Sequence, residues 1–241
     1  MKNGIQFIGA ALLFLLFFQG KSGKIKPTRF RNISLREPSD ICIKPGNQGY
    51  FLVSDDGILI ETDTALNELR RSPHRGYDFE AVFLDSSGLW LMDERTRFLS
   101  RINQQTLLPE FTKEIPYSGG RNKGFEAICR NPVNGRLLAI TEKDPVWIFE
   151  LDRQLNVVNR VQFYGLSDVS SATLWNGNLY FLSDEDHCIA RVNPENYQIE
   201  KKVKIPVINP EGISPVCGKG LVVCSDDLAK LFYFENEASL P

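Results

Sequence analysis

The chain has few of the residues that usually mark a catalytic or metal centre. It contains two histidines and five cysteines in 241 residues, and none of the cysteines has the close spacing of a zinc site. It also lacks a Gly-x-Ser-x-Gly nucleophile motif, a phosphate-binding loop and a dinucleotide-binding glycine motif. These absences argue against the enzyme classes that depend on such motifs.

The chain has no excess of positive charge. Its 28 basic and 30 acidic residues give a formal net charge of −2, and they form no basic stripe. This balance argues against nucleic-acid binding. Beyond about residue 27 the chain contains no low-complexity tract or linker, and its 11 % aromatic and 24 % charged residues are ordinary for one folded domain.

Only the N-terminus carries a long apolar run. Lys2 precedes a mostly apolar stretch from Ile5 to Phe18, which is shorter than the roughly 20 residues of a comfortable membrane span. The run predicts a signal peptide or, because Phe17 and Phe18 disfavour cleavage, an uncleaved inner-membrane anchor. Both alternatives predict export, either to the periplasm or to the outer side of the inner membrane, anchored by residues 5–18. The predicted organisation is a leader (1–20), a linker (21–27), a folded domain (28–236) and a tail (237–241).

An acidic residue opens a similar short pattern five times along the chain. The intervals are 43, 46, 42 and 43 residues, and the acidic residues are Glu37, Glu80, Glu126, Asp168 and Glu211. A period in the low forties with strand-like contents is typical of a β-propeller with one blade per repeat. The predicted fold class is therefore all-β.

A second acidic residue follows each of these after a glycine and an apolar run. These residues are Asp55, Asp93, Glu142, Asp184 and Asp226. The apolar runs are short and rich in β-branched and aromatic residues, which indicates buried strands. A third, alternating segment and a fourth, more polar one follow, so each repeat predicts a four-stranded blade with a polar outer strand.

The fifth repeat ends after its third strand, near Glu235. Residues 29–35, just before Glu37, resemble residues 202–208, which precede Glu211. We therefore expect the N-terminal strand to complete the last blade and close the ring. This gives five blades; a sixth would have to lack the acidic residues, and the chain leaves no room for it.

The repeated motifs resemble those of the SdiA-regulated (YjiK-like) propellers. The resemblance rests on Glu-Pro-Ser-Asp-Ile from Glu37, Phe-Glu-Ala at Glu80 and Glu126, Pro-Glu-Gly-Ile around Glu211, and the acidic strand ends. It covers about residues 28–236 and implies an exported or membrane-anchored bacterial propeller without an established reaction. The chain departs from the family pattern at Asp168, where Glu is expected, and at Glu142-Lys143, where an acidic pair is expected.

Antiparallel first and second strands place both sets of acidic residues at one mouth of the tunnel. Ten carboxylates there repel one another unless a divalent cation, the basic residues Arg95, Lys143 or Arg121, backbone donors or raised pKa values compensate. The repeat predicts either a structural device that joins blades or a metal site. A metal site would use Glu37, Glu80, Glu126, Asp168 and Glu211, within a rim of Asp55, Asp93, Glu142, Asp184 and Asp226. All-oxygen ligands favour calcium over zinc.

These residues predict binding of an unidentified ligand or envelope protein at an acidic tunnel mouth, through calcium. The alternative is a calcium-dependent hydrolase of esters, lactones or phosphoesters. His187 is the candidate general base, although it also fits an exposed turn. An enzyme should break the symmetry of the repeat, and Asp168, His187 and Lys143 are the candidates for doing so.

The cysteines predict buried free thiols in or beside apolar strands. Cys217 and Cys224 could instead pair across adjacent strands in an oxidising compartment.

Overall fold

The computed structural model describes residues 23–120, 123–216 and 218–241. The predicted leader, residues 21 and 22 of the predicted linker, Arg121 and Cys217 lie outside the described residues. The described part of the chain contains no helix with the length and hydrophobicity that a membrane span needs.

Five four-stranded blades form a β-propeller, as the repeat predicted. Two short N-terminal strands come first, β1 (Gly23–Lys24) and β2 (Arg29–Asn32). Blade 1 contains β3 (Pro38–Ile43), β4 (Tyr50–Ser54), β5 (Ile58–Thr62) and β6 (Glu68–Arg71). Blade 2 contains β7 (Phe79–Asp85), β8 (Gly88–Asp93), β9 (Phe98–Ile102) and β10 (Pro109–Glu114). Blade 3 contains β11 (Phe125–Arg130), β12 (Leu137–Thr141), β13 (Trp147–Leu151) and β14 (Val157–Gln162).

The last two blades also include strands from the N-terminus. Blade 4 contains β15 (Ser171–Trp175), β16 (Asn178–Ser183), β17 (Cys188–Val192) and β18 (Ile199–Lys204). Blade 5 contains β19 (Pro210–Val216), β20 (Gly220–Ser225) and β21 (Lys230–Phe234). Its outer strand is β2, which pairs antiparallel with β21, with Arg29 opposite Tyr233. This pairing confirms the predicted closure of the last blade.

The N-terminal segment also contacts blade 4. Strand β1 pairs in parallel with the outer strand β18, so that Gly23 lies opposite Val203. Ile25 is buried beside both blade 4 and blade 5. Part of the segment predicted to be a linker is therefore folded, because its backbone completes a sheet edge and its isoleucine fills an apolar gap.

The chain ends against the same pair of blades. Short 3-10 helices cover Pro45–Asn47 and Glu237–Ser239. Leu240 is 4 % exposed within the apolar cluster between blades 4 and 5. Lys201 Nζ donates a hydrogen bond to Leu240 O over 2.8 Å. The predicted tail thus packs on the propeller.

The core lies between neighbouring blades, because each sheet buries both faces of its inner strands. The cluster between blades 5 and 1 includes Ile33, Leu35, Ile41, Leu52, Val222 and Tyr233. Phe125 and Phe149 of blade 3 pack edge to face with ring centroids 5.1 Å apart, within a cluster that also includes blade 2 side chains. Cys42, Cys129, Cys188 and Cys224 are buried and free.

Candidate functional site

A register irregularity shapes the inner strand of four blades. The pairing with the second strand skips one residue near the start of the inner strand, and the skipped residues are Ser39, Glu80, Glu126 and Glu211. Ser170 holds the corresponding position in blade 4, directly before Ser171. A bulge of this kind turns a side chain away from the regular alternation. It brings these positions to one mouth of the tunnel.

The second acidic position directly follows the last paired residue of each second strand. The five residues there, one per blade, are Asp55, Glu94, Glu142, Asp184 and Asp226. Because first and second strands are antiparallel, this ring meets the bulge positions at the same mouth.

The mouth is a cavity of about 300 Å³ lined almost entirely by acidic side chains. Eleven carboxylates line it: Asp55, Asp78, Glu80, Glu94, Glu126, Glu142, Asp168, Asp184, Glu185, Glu211 and Asp226. Ser170 and Lys143 complete the lining. Eight of the ten residues that the sequence predicted for this mouth lie in it. We call this cavity the acidic mouth.

Glu37 lies outside the acidic mouth, which corrects its predicted place in the inner ring. Its backbone oxygen accepts from Asp55 N, just as Asp78 O accepts from Glu94 N, so Glu37 aligns with Asp78. The residue that aligns with Glu80 is Ser39, two positions further on. The Glu37 carboxylate instead bonds to Arg36 over 2.9 Å.

Asp93 also lies outside the acidic mouth, one residue before the true rim residue Glu94. Its carboxylate accepts hydrogen bonds from Tyr77 N at 2.8 Å and from Thr96 N and Oγ1, each at 2.9 Å. Asp93 therefore stabilises the turn at the end of its strand, where a short acidic side chain satisfies local backbone donors.

Glu94 reaches the mouth because a glycine faces it. Gly124 N donates to Glu94 Oε1 over 2.7 Å. A Cβ at Gly124 would lie 2.4 Å from Glu94 Cγ. The absence of a side chain at residue 124 thus lets blade 2 place its carboxylate against blade 3.

Lys143 supplies positive charge to one side of the acidic mouth. Its Nζ lies 2.7 Å from Glu142 and 3.0 Å from Glu185. These two carboxylates raise the pKa of Lys143. The lysine joins blades 3 and 4 and leaves the carboxylates of blades 1, 2 and 5 without an ion pair inside the mouth, within the described residues.

Several carboxyl groups of the mouth have raised pKa values. Burial first, and the charges of neighbouring carboxylates second, raise the pKa of Glu211 to about 8. The same causes raise the pKa values of Glu80 and Glu126 well above the usual range, and that of Asp226 to about 6. Protonation therefore relieves part of the mutual repulsion near neutral pH.

Asp168 and His187 have local structural contacts. The Asp168 carboxylate accepts hydrogen bonds from Ser183 Oγ, from Asp184 N at 3.0 Å and from Glu185 N at 3.2 Å. His187 is exposed and lies outside the lining of the mouth. Its Nδ1 lies 3.2 Å from Val207 O, and because a carbonyl only accepts, Nδ1 is the donor.

Asp40 links blade 1 to blades 2 and 4 through hydrogen bonds and was not predicted as a site residue. Its Oδ1 accepts from Ser171 Oγ over 2.9 Å, and its Oδ2 accepts from Val82 N over 2.9 Å. Ser171 Oγ also accepts from Ile213 N over 3.2 Å. Blades 1 and 4 are not neighbours in the ring, so the bond between Asp40 and Ser171 crosses the axis. Gly212 leaves room for it, since a Cβ there would lie 2.8 Å from Asp40 Oδ1.

Sequence reasoning also missed Asp78, Glu94 and Glu185 in the mouth. Aligning the strand ends on the residues Ser54, Asp93, Thr141, Ser183 and Ser225 would have identified Glu94 and the rest of the rim. Asp78 carried a signal as well, because it stands two residues before Glu80, as Asp168 stands two before Ser170.

The comparisons with known proteins agree with this architecture. A glutaminyl cyclase of Myxococcus xanthus has a similar structure, with a TM-score of 0.67 and 16 % identity over 87 % of this chain and 96 % of that one. The β-propeller domain of Myceliophteria thermophila Cps50 (Swd1) gives a TM-score of 0.55 and 8 % identity over 86 % of this chain and 100 % of that one. At these identities the likeness shows the fold alone.

The search of curated proteins finds no significant match. The model of the SdiA-regulated family matches residues 26–205, which is most of the propeller and confirms the resemblance of the repeated motifs. The chain therefore belongs to the SdiA-regulated family.

Proposed function

We propose that the protein binds a divalent cation, calcium, at the acidic mouth, and through it a ligand or protein partner. The observation that carries this proposal is the composition of the mouth, in which eleven carboxylates from five blades face one lysine. Carboxylate oxygens are the ligands that calcium prefers. A bound cation would replace the protons that now relieve the repulsion among these groups.

The side chains of blade 2 fit a calcium ion. Single carboxylate oxygens of Asp78, Glu80 and Glu94 all lie within 4.8 Å of one another. Calcium–oxygen distances of about 2.3–2.6 Å allow two ligands of one ion to lie up to about 5 Å apart, whereas the shorter bonds of magnesium bring its ligands closer together. None of the three carboxylates forms a salt bridge with a described basic residue. These three residues are therefore the proposed calcium ligands.

A second observation, on blade 4, supports cation binding in the acidic mouth. Asp184 Oδ1 is buried and accepts no hydrogen bond from the described residues. A buried carboxylate oxygen without a donor is unfavourable unless a cation or water contacts it. The mouth thus contains a carboxylate oxygen, Asp184 Oδ1, that could contact a bound cation.

We favour binding over the alternative of hydrolysis. Of the three residues expected to break the symmetry for catalysis, Lys143 and Asp168 line the acidic mouth and His187 does not. Lys143 is held by Glu142 and Glu185, the Asp168 carboxylate caps a turn, and His187 lies outside the mouth. A positioned base close to the proposed ligands is what a metal-dependent hydrolase would need.

Calorimetric titration of the metal-free protein with calcium chloride tests this function. We expect one binding event in the wild type and an affinity at least about tenfold lower in Glu80→Gln, because about 1.4 kcal/mol of binding free energy corresponds to that factor. The matched control is Glu37→Gln, which removes an exposed carboxylate outside the mouth and should bind calcium as the wild type does. Equal calcium affinity in all three proteins would contradict the assigned ligands. The absence of binding heat in the wild type would contradict calcium as the bound cation.

We also propose that the propeller is exported, with residues 1–20 as signal peptide or anchor, so that its partner would be an envelope ligand or protein. The support is the apolar run from Ile5 to Phe18. Mass spectrometry of the protein purified from the membrane and periplasmic fractions shows whether residues 1–20 are retained or have been cleaved. Recovery of the full-length chain in the cytosol would contradict export.

A further inference from the structure

A second polar cavity lies at the opposite end of the propeller, where blade 5 meets blade 1. It has a volume of about 470 Å³, and its lining includes Arg29, Arg31, Tyr50, Lys219, Tyr233 and Glu235. Tyr50 begins the strand whose other end leads to Asp55 of the acidic mouth. Arg29 and Arg31 both belong to β2, the strand that closes the ring. Because they are two residues apart in a strand, their side chains lie on the same face of it. We call this cavity the closure cavity.

The closure cavity carries net positive charge, in contrast to the acidic mouth. Its lining contains three basic residues and one carboxylate. Glu235 neutralises Arg29, at 2.9 Å between Nη2 and Oε1. The Arg31 side chain donates a hydrogen bond from Nη1 to the backbone oxygen Thr64 O over 2.8 Å. The Lys219 ammonium makes no hydrogen bond or salt bridge to a described residue. Glu235 also attracts Lys219 electrostatically, but one carboxylate against three basic side chains leaves the lining with a net charge of +2.

Two buried phenols add donors to the wall of the closure cavity. Tyr50 is 4 % and Tyr233 1 % exposed, and their oxygens lie 3.4 Å apart. The pair carries two hydroxyl protons, and only one of them can lie between the two oxygens. At least one O–H group is therefore free to donate to a third acceptor, and among the described residues these hydroxyls bond only to each other and to the Arg29 side chain.

We propose that the closure cavity binds the phosphate group of a small phosphate monoester. The donors come from three parts of the fold: Arg31 from the closing strand, Lys219 from a loop of blade 5, and the phenols of Tyr50 and Tyr233 from strands of blades 1 and 5. A tetrahedral phosphate accepts hydrogen bonds in three directions, and arginine is suited to it. A monoester carries a charge of about −1.5 to −2 at pH 7, which matches the net positive charge of the lining. A lipid phosphodiester offers similar oxygens with a smaller charge.

Because β2 supplies both arginines, the proposed ligand binds only the closed ring and should stabilise it. Thermal unfolding of the full-length chain is therefore the readout, with glycerol 3-phosphate, inorganic phosphate and dihexanoyl-phosphatidylglycerol as probes and sodium chloride at matched ionic strength as the reference. We expect glycerol 3-phosphate and inorganic phosphate at saturating concentration to raise the melting temperature by several degrees, and the phosphodiester to act more weakly. A larger effect of the phosphatidylglycerol would overturn the monoester in favour of a lipid headgroup.

Substitutions at the cavity test the assigned residues. Lys219→Gln changes an exposed loop side chain that makes no hydrogen bond or salt bridge to a described residue, so this variant should fold as the wild type does. We expect it and Arg31→Gln to bind glycerol 3-phosphate about tenfold more weakly, as the loss of one charge-assisted hydrogen bond implies. The control Arg71→Gln removes an exposed arginine that pairs with Glu68 outside the cavity and should bind normally. No phosphate effect in the wild type, or an equal effect in Lys219→Gln and Arg71→Gln, would refute the site.

Discussion

A chain that begins at residue 37 should be several kcal/mol less stable than one that begins at residue 23, and it should aggregate. The missing segment contains β2, which completes blade 5, and the buried side chains of Ile25, Ile33 and Leu35. Each such side chain stabilises the fold by about 1.5–3 kcal/mol, and each ladder hydrogen bond by about 0.5–1.5 kcal/mol. Loss of β2 also exposes the edge of β21, which is a template for pairing with another chain.

An intermediate truncation separates the two roles of the N-terminal segment. A chain that begins at residue 28 keeps β2 but loses β1 and Ile25, so its free energy of unfolding should fall between those of the other two. Urea unfolding monitored by far-ultraviolet circular dichroism measures all three. Equal stability for the chains that begin at residues 23 and 37 would show that ring closure does not depend on β2.

The substitution Asp40→Asn should make the protein more stable than the wild type above pH 8. Burial raises the pKa of Asp40 to about 8, above the ordinary value near 4 of an unfolded chain. The folded wild type therefore holds a proton that the unfolded chain releases, and the stability associated with this group declines as the pH rises from about 4 through 8. Linkage over this interval is on the order of several kcal/mol. Asparagine stays neutral and keeps a carbonyl oxygen for Val82 N.

Urea unfolding from pH 5 to pH 9 measures this difference. The two proteins should be similar in stability near pH 5, where Asp40 is protonated, and the difference should grow with pH. The control is Asp63→Asn, since hydrogen bonds from Asn67 lower the pKa of Asp63 and place its titration below this range. A difference between Asp40→Asn and wild type that stays constant with pH would show that Asp40 is ionised throughout.

The architecture could be predicted because the sequence pattern of one blade repeats at a nearly constant interval along the chain. Five repeats of 42–46 residues, each with a glycine and a buried apolar run, indicate five blades, and the missing outer strand of the last repeat points to the N-terminus. Strand order and closure then follow from the need to pair every edge. The folding of Gly23–Lys24 onto blade 4 had no such signal, because two residues show no periodicity.

The candidate site could be predicted only to within a residue or two. The bulge at Ser39, Glu80, Glu126 and Glu211 adds one unpaired residue, and aligning the first acidic residue of each repeat placed Glu37 where Ser39 belongs. The role of Asp40 could not be predicted for a different reason. Its partner Ser171 is 131 positions away and lies across the tunnel, and a contact of this kind leaves no trace in a local pattern.

The measurement that tests the acidic mouth most directly is the number of protons released when calcium binds. At pH 7 Glu211, with its pKa raised to about 8, is mostly protonated, and the pKa values of Glu80 and Glu126 are raised as well. We expect calcium binding beside these groups to displace protons, and calorimetry in two buffers of different ionisation enthalpy counts them. We predict the release of about one proton or more per calcium at pH 7, with an affinity that increases up to about pH 8. Calcium binding with the same heat in both buffers, and with an affinity independent of pH between 6 and 9, would contradict a cation at this cluster of protonated carboxyls.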